Sequence, residues 1–134
     1  MVLSTPKADQ ARHFTRVVDS TQAFVATIMS PSAGARVAHL YSLEMVDRFL
    51  EAHTIEDFQA VGLRLDIHYA DFVFLADWFE EVIGDAELAT AIREVHVTGE
   101  AFGVLVPRVK RLLRERQQQC EEVLEPGIES ATSS

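Results

Sequence analysis

The feature that most restricts this chain is the recurrence of apolar side chains at three- and four-residue intervals. Phe58, Val61, Leu65, Phe72, Leu75, Phe79 and Ile83 keep one such spacing, which is the period of a single helix face. The same recurrence, punctuated by capping residues, divides the whole chain. Thr5-Pro6 opens a first predicted helix, whose stripe of Phe14, Val17, Val18, Thr21, Val25 and Ile28 ends near Met29. Ser30-Pro31 opens a second, to about His53, with Tyr41, Leu43, Met45, Phe49 and Leu50 on a broad apolar face. Thr54 caps a third over 55–83, with Asp57 in its first turn and Gly62 as a possible hinge. Ile67, Phe74 and Trp78 give that helix a second apolar stripe, so it is expected at the centre, touching several neighbours or a second subunit.

Gly84 is predicted as a left-handed cap, with Asp85 starting a short fourth helix that ends near Val95. After a break at Thr98-Gly99, a last helix carries Phe102, Leu105, Val109, Leu112, Leu113, Cys120 and Val123 on one face. Pro107 removes a backbone donor there, so a kink or a late start is expected. The expected fold is all-α: an antiparallel helical bundle of four long helices plus one short helix. Residues 1–124 would form its single domain and 125–134, small and polar, a disordered C-terminal tail.

Composition narrows the functional classes. At 134 residues and 48% apolar, the chain can bury one continuous core. Its 21 acidic against 12 basic residues give a net charge of −9, which disfavours nucleic acid and anionic lipid as general partners. The single cysteine, Cys120, permits no internal disulfide, and a reducing, cytoplasmic compartment is the simpler expectation. "MVLSTPKADQ" has no basic segment followed by an apolar run, so no secretory signal is expected there. No stretch reaches the roughly 18 apolar residues of a membrane span.

Within "LRLDIHYADFVFLADWF", Arg64, His68 and Asp71 fall four and three residues apart, in register with the apolar stripe if the segment is helical. Such a triad would hold a pH-sensitive imidazole or grip an anionic ligand; alternatively Arg64 and Asp71 are an edge ion pair beside an ordinary histidine. Metal ligation has a thinner basis: there is no Glu-x-x-His, and a site would have to be assembled from His39, His53, His68 and His96 on separate elements. No nucleophile elbow, phosphate-binding glycine loop or Cys-x-x-Cys is present, so no catalytic residue and no cofactor is assigned. Cys120 reads as a packing residue.

The segment "PRVKRLLRERQQQ" is the charge anomaly, with five of the twelve basic residues between 108 and 116, leaving the remainder of the chain at −13. Arg108, Lys110, Arg111 and Arg114 form a basic stripe opposite the apolar face, suited to docking on an acidic partner, on RNA or on the acidic body of a second copy, or to a solvated helix side whose cations complement the dipole. Arg116 points instead into the apolar face between Leu112 and Cys120; either the helix has left the core there or Arg116 meets an acidic group. A helix-turn-helix reading of "ELATAIREVHVTGEAFGVLV" fails, because the second helix opens with Glu100-Ala101 and is apolar thereafter.

Asp71-Phe72, Trp78 and Gly84-Asp85-Ala86-Glu87-Leu88-Ala89 resemble a pattern in an uncharacterised family of small prokaryotic helical proteins, over about a quarter of the chain. The resemblance implies a helical fold and carries no activity. The functional expectation is a non-enzymatic interaction protein, an accessory or assembly subunit acting through helix faces and oligomeric. The alternative is a bundle that binds a small molecule or metal at an internal polar site around Arg64, His68 and Asp71.

Overall fold

The structure is a computed structural model that describes residues 3–30, 34–50 and 67–133, with side chains as far as Leu124. It is mixed α and β, which corrects the all-α bundle. Among the described residues the order is α1 (Ala8–Phe14), β1 (Phe24–Ser30), β2 (Gly34–Leu40), α2 (Leu43–Phe49), β3 (Ile67–Tyr69), α3 (Phe72–Trp78), α4 (Ala86–His96) and α5 (Phe102–Ser133). The three strands form an antiparallel sheet in the order β2-β1-β3.

The first predicted helix is therefore only α1, two turns long, followed by a strand. "FVATIMS" is apolar or β-branched at nearly every position, so it satisfies a three- to four-residue period and a two-residue period at once. The two-residue period wins because Phe24, Ala26 and Ile28 can turn inward together, and Phe24 and Ala26 are buried. The second predicted helix is likewise β2 followed by α2. Ser30 pairs with Gly34 across residues 31–33, and Gly34 has φ of 76°, a left-handed conformation that suits a reversal of the chain. Ser42 then caps α2 by accepting from the Met45 amide at 3.2 Å.

The predicted central helix over 55–83 is replaced, where the chain is described, by β3 and α3. Asp71 is the reason: its carboxylate accepts from the Val73 and Phe74 amides at 2.9 and 3.3 Å and starts α3 there. The expected hinge at Gly62 and cap at Thr54 lie outside the described residues. α3 continues through one wider turn, Phe79–Ile83, in which Phe79 and Ile83 are buried. Arg16 reaches across from the end of α1 to the carbonyls of Val82 and Ile83, satisfying the open end of that turn.

In the C-terminal half the predicted punctuation at Gly84 and Asp85 recurs, while α5 runs unbroken past Pro107, where the sequence predicts a kink or a late start, and its helix extends to Ser133. Gly84 is the left-handed cap at φ 86°, and Asp85 starts α4 by accepting from the Leu88 amide at 3.1 Å. α5 begins at Phe102 and continues through Pro107. The core lies between the helices and the inner face of the sheet: Leu88 and Ile92 of α4 and Val109, Leu113 and Cys120 of α5 are all buried in it. Trp78 closes the corner, its ring 5.9 Å from Phe24 and its indole N–H donating to the Gln22 carbonyl at 2.7 Å.

Candidate functional site

Among the described residues the helices pack against one side of the sheet. Its register sets Val25, Thr27 and Met29 of β1 opposite His39, Val37 and Ala35 of β2, while Thr27 and Met29 also face Tyr69 and Ile67 of β3. Directly opposed residues share a face, so these eight side chains make up the outer surface. Val37 is 61% and Val25 54% exposed, and Met29, Ile67 and Tyr69 are exposed as well. The five lie on one face, and contiguous apolar patches of a few hundred Å² on monomers are often functional. The stretch from Phe24 to Leu40 contains no acidic residue and one charged residue, Arg36, in a chain of net charge −9.

The sequence-predicted triad is not a helical seam. Arg64 lies outside the described residues, His68 is in β3 and Asp71 is spent on capping α3. The His68 ring stacks on Phe49 at 4.7 Å, and its Nδ1 lies 2.7 Å from the Phe49 carbonyl oxygen, tying β3 to the end of α2. Of the four histidines weighed for a metal, His53 lies outside the described residues, His39 is on the outer sheet face, and His96 ends α4. Among the described residues no three His, Cys, Asp or Glu side chains converge as a metal site.

The basic stripe of α5 is divided by the fold. Arg108 pairs with Glu100 at 2.5 Å. Lys110 is not on the solvated side: it is buried and donates to the Asp47 carbonyl and, at 3.0 Å, to the Asp47 carboxylate. Arg111 and Arg114 are exposed and, with Arg48 of α2, border a groove of about 810 Å³ between α2 and α5. A smaller hollow of about 240 Å³ lies between Tyr69, Phe72 and Phe102, with Asp71, His96 and Glu100 at its border.

Arg116 does meet an acidic group. Its guanidinium lies 2.7 and 3.1 Å from the two carboxylate oxygens of Asp85, with both side chains 2% exposed. The remaining donors go to Glu87 at 2.8 Å, the Ser4 carbonyl at 2.8 Å and Gln119 at 2.9 Å, and the group sits 5.3 Å over the Phe14 ring. All five N–H groups are thus used, and one cation holds the N-terminal segment, α1, α4 and α5 together. Burial favours a neutral Glu87, but the Arg116 hydrogen bond and the bonds from Ser4 outweigh it and hold this carboxyl below its usual value of 4.5. Cys120, one turn after Arg116, is buried, and desolvation pushes its thiol up to about 11.

The outer sheet face escaped the sequence reading because a helical assignment scatters Val25, Val37 and Ile67 around different helices. The β-branched, apolar run before Gly34 and the glycine itself were the available hint of a hairpin, without an alternation clean enough to decide it. Compared with protein-family models, curated proteins and solved structures, the chain matches none of them. No helix among the described residues is long and apolar enough to cross a membrane.

Proposed function

We propose that this chain is a non-enzymatic interaction protein, an accessory or assembly subunit of the cytoplasm, that self-associates through the outer face of its sheet. The observation that carries the reading is the exposed row of Val25, Met29, Val37 and Ile67 on the outer sheet face, with Tyr69, packed on Phe102 at 4.7 Å, at its edge. The hydrophobic effect favours covering such a face, and a second copy suits it by charge. Two acidic bodies repel each other in most orientations, whereas the acid-free hairpin lets them meet without opposing carboxylates. A two-fold contact of this kind presents the same face from both copies, and sheets stack face to face about 10 Å apart. A standard interface takes about 800 Å² from each partner, so the contact extends beyond the five residues to the rim, including the exposed edge of β2. The reducing compartment accords with a lone, buried thiol.

Sedimentation across a concentration series tests this. The wild type is expected as a dimer at tens of micromolar, and Val37→Lys as a monomer with an unchanged circular dichroism spectrum. A wild type that stays monomeric to about 100 µM, or a Val37→Lys variant that dimerises equally well, would overturn the reading.

A further inference from the structure

We propose that the groove between α2 and α5 binds an acidic, extended peptide segment of a partner protein through Arg48, Arg111 and Arg114. The charge in the groove divides into spent and unspent groups. Lys110 and Asp47 neutralise one another at 3.0 Å with side chains 10% and 14% exposed, and so form its floor. Glu115 accepts from the Leu3 amide at 2.6 Å. Glu115 keeps its charge, so among the described residues three exposed guanidiniums face one such carboxylate in the groove. Arg111 has no ion-pair partner among the described residues. Arg114 is 67% exposed and its Nε stands 3.6 Å from Asp47, beyond hydrogen-bond length. Arg48 pairs at 2.5 Å with Glu44, but both side chains are well exposed, and such pairs contribute little and exchange readily. The result is local positive charge on a chain of net charge −9.

The shape of the array selects the ligand. Pro107, Lys110, Arg111, Arg114 and Gln118 recur at three- and four-residue spacing, so they form one row along α5. From Pro107 to Gln118 that row is roughly 16 Å long at 1.5 Å per residue, which is the length of about five residues of extended chain. Arg111 and Arg114 stand about 4.5 Å apart along the α5 axis, with Arg48 on the α2 side of the groove, so neighbouring carboxylates of one acidic peptide can each meet a guanidinium in its forked geometry while the chain follows the groove. Nucleic acid would bring a dense phosphate backbone against an acidic body. The site lies apart from the outer sheet face, so it extends the interaction reading to a second surface, and either can fail without the other.

The test is fluorescence anisotropy of a labelled peptide of about six glutamates on the full chain at low salt, near 50 mM. Binding is expected to weaken as salt rises. Combining Arg111→Glu with Arg114→Glu is expected to weaken it by about tenfold or more with an unchanged unfolding midpoint. Arg108→Gln, outside the groove, is expected to weaken it less than Arg111→Gln does. Absence of binding at low salt, or equal binding by the double variant, would overturn the proposal. So would displacement of the peptide by tripolyphosphate or a short single-stranded DNA at lower concentration than by unlabelled peptide, which would assign the groove to phosphate instead.

Discussion

Replacing Arg116 by methionine is the perturbation whose outcome the structure specifies most fully. Methionine keeps much of the volume and removes the charge, leaving Asp85 at 1% exposure with the Leu88 amide as its remaining donor. A buried pair broken on one side costs about 3–5 kcal/mol, a large part of the roughly 5–15 kcal/mol that holds a domain of this size. Asp85→Asn should cost less, about 1–3 kcal/mol: asparagine can still cap α4, and Arg116 keeps Glu87, Gln119 and the Ser4 carbonyl. The double variant has neither buried charge. Its destabilisation should therefore fall short of the sum of the singles by at least about 1 kcal/mol. Urea unfolding followed by circular dichroism measures all four corners of the cycle. Additivity within about 0.5 kcal/mol would refute the pairing of these two groups, and with it the view that a single cation anchors four segments.

Further outcomes follow from the same region. Glu87 has a folded pKa below its ordinary 4.5. It therefore adds stability above that value, which is lost as pH falls through the lowered folded value; the gap in urea midpoint between wild type and Glu87→Gln should close as pH is taken from 7 to about 3. Cys120, raised from 9.0 to about 11 by burial, should resist iodoacetamide in the folded protein at neutral pH and react at the rate of unfolding. Because the unfolded thiol ionises first, wild-type stability should fall relative to Cys120→Ala as pH rises from about 9 towards 11. Gly84→Ala should destabilise by about 1 kcal/mol or more, since φ is 86° and an added Cβ would stand 3.0 Å from the His13 ring; a thermal melt within error of wild type would contradict it.

The parts of this fold that could be read from sequence are those where one periodicity acts alone. α5 places apolar residues at helical spacing between charged ones, and Gly84 and Asp85 punctuate the start of α4, so Val109, Leu113 and Cys120 were identifiable as core. Arg116 was identifiable as a cation on an apolar face, although its partner Asp85 lies 31 residues away and nothing local points to it. Between 24 and 40 the chain is apolar on both potential faces. There the choice between helix and strand is made by the pairing of β1 with β2 and β3 and by the core beneath them, which local spacing does not encode. The candidate surfaces inherit that division: the α5 cations were visible, except that Lys110 is drawn into the core boundary by Asp47, while the outer sheet face depends on a register that only the folded chain supplies.

The measurement that bears most directly on the sheet as an interface is an isotope-filtered nuclear Overhauser experiment on mixed labelled and unlabelled copies. Contacts between copies are expected from the Val37 and Met29 methyl groups to Val25 and Ile67. Intermolecular contacts confined to the helices, or none at concentrations where the wild type is dimeric, would contradict the account.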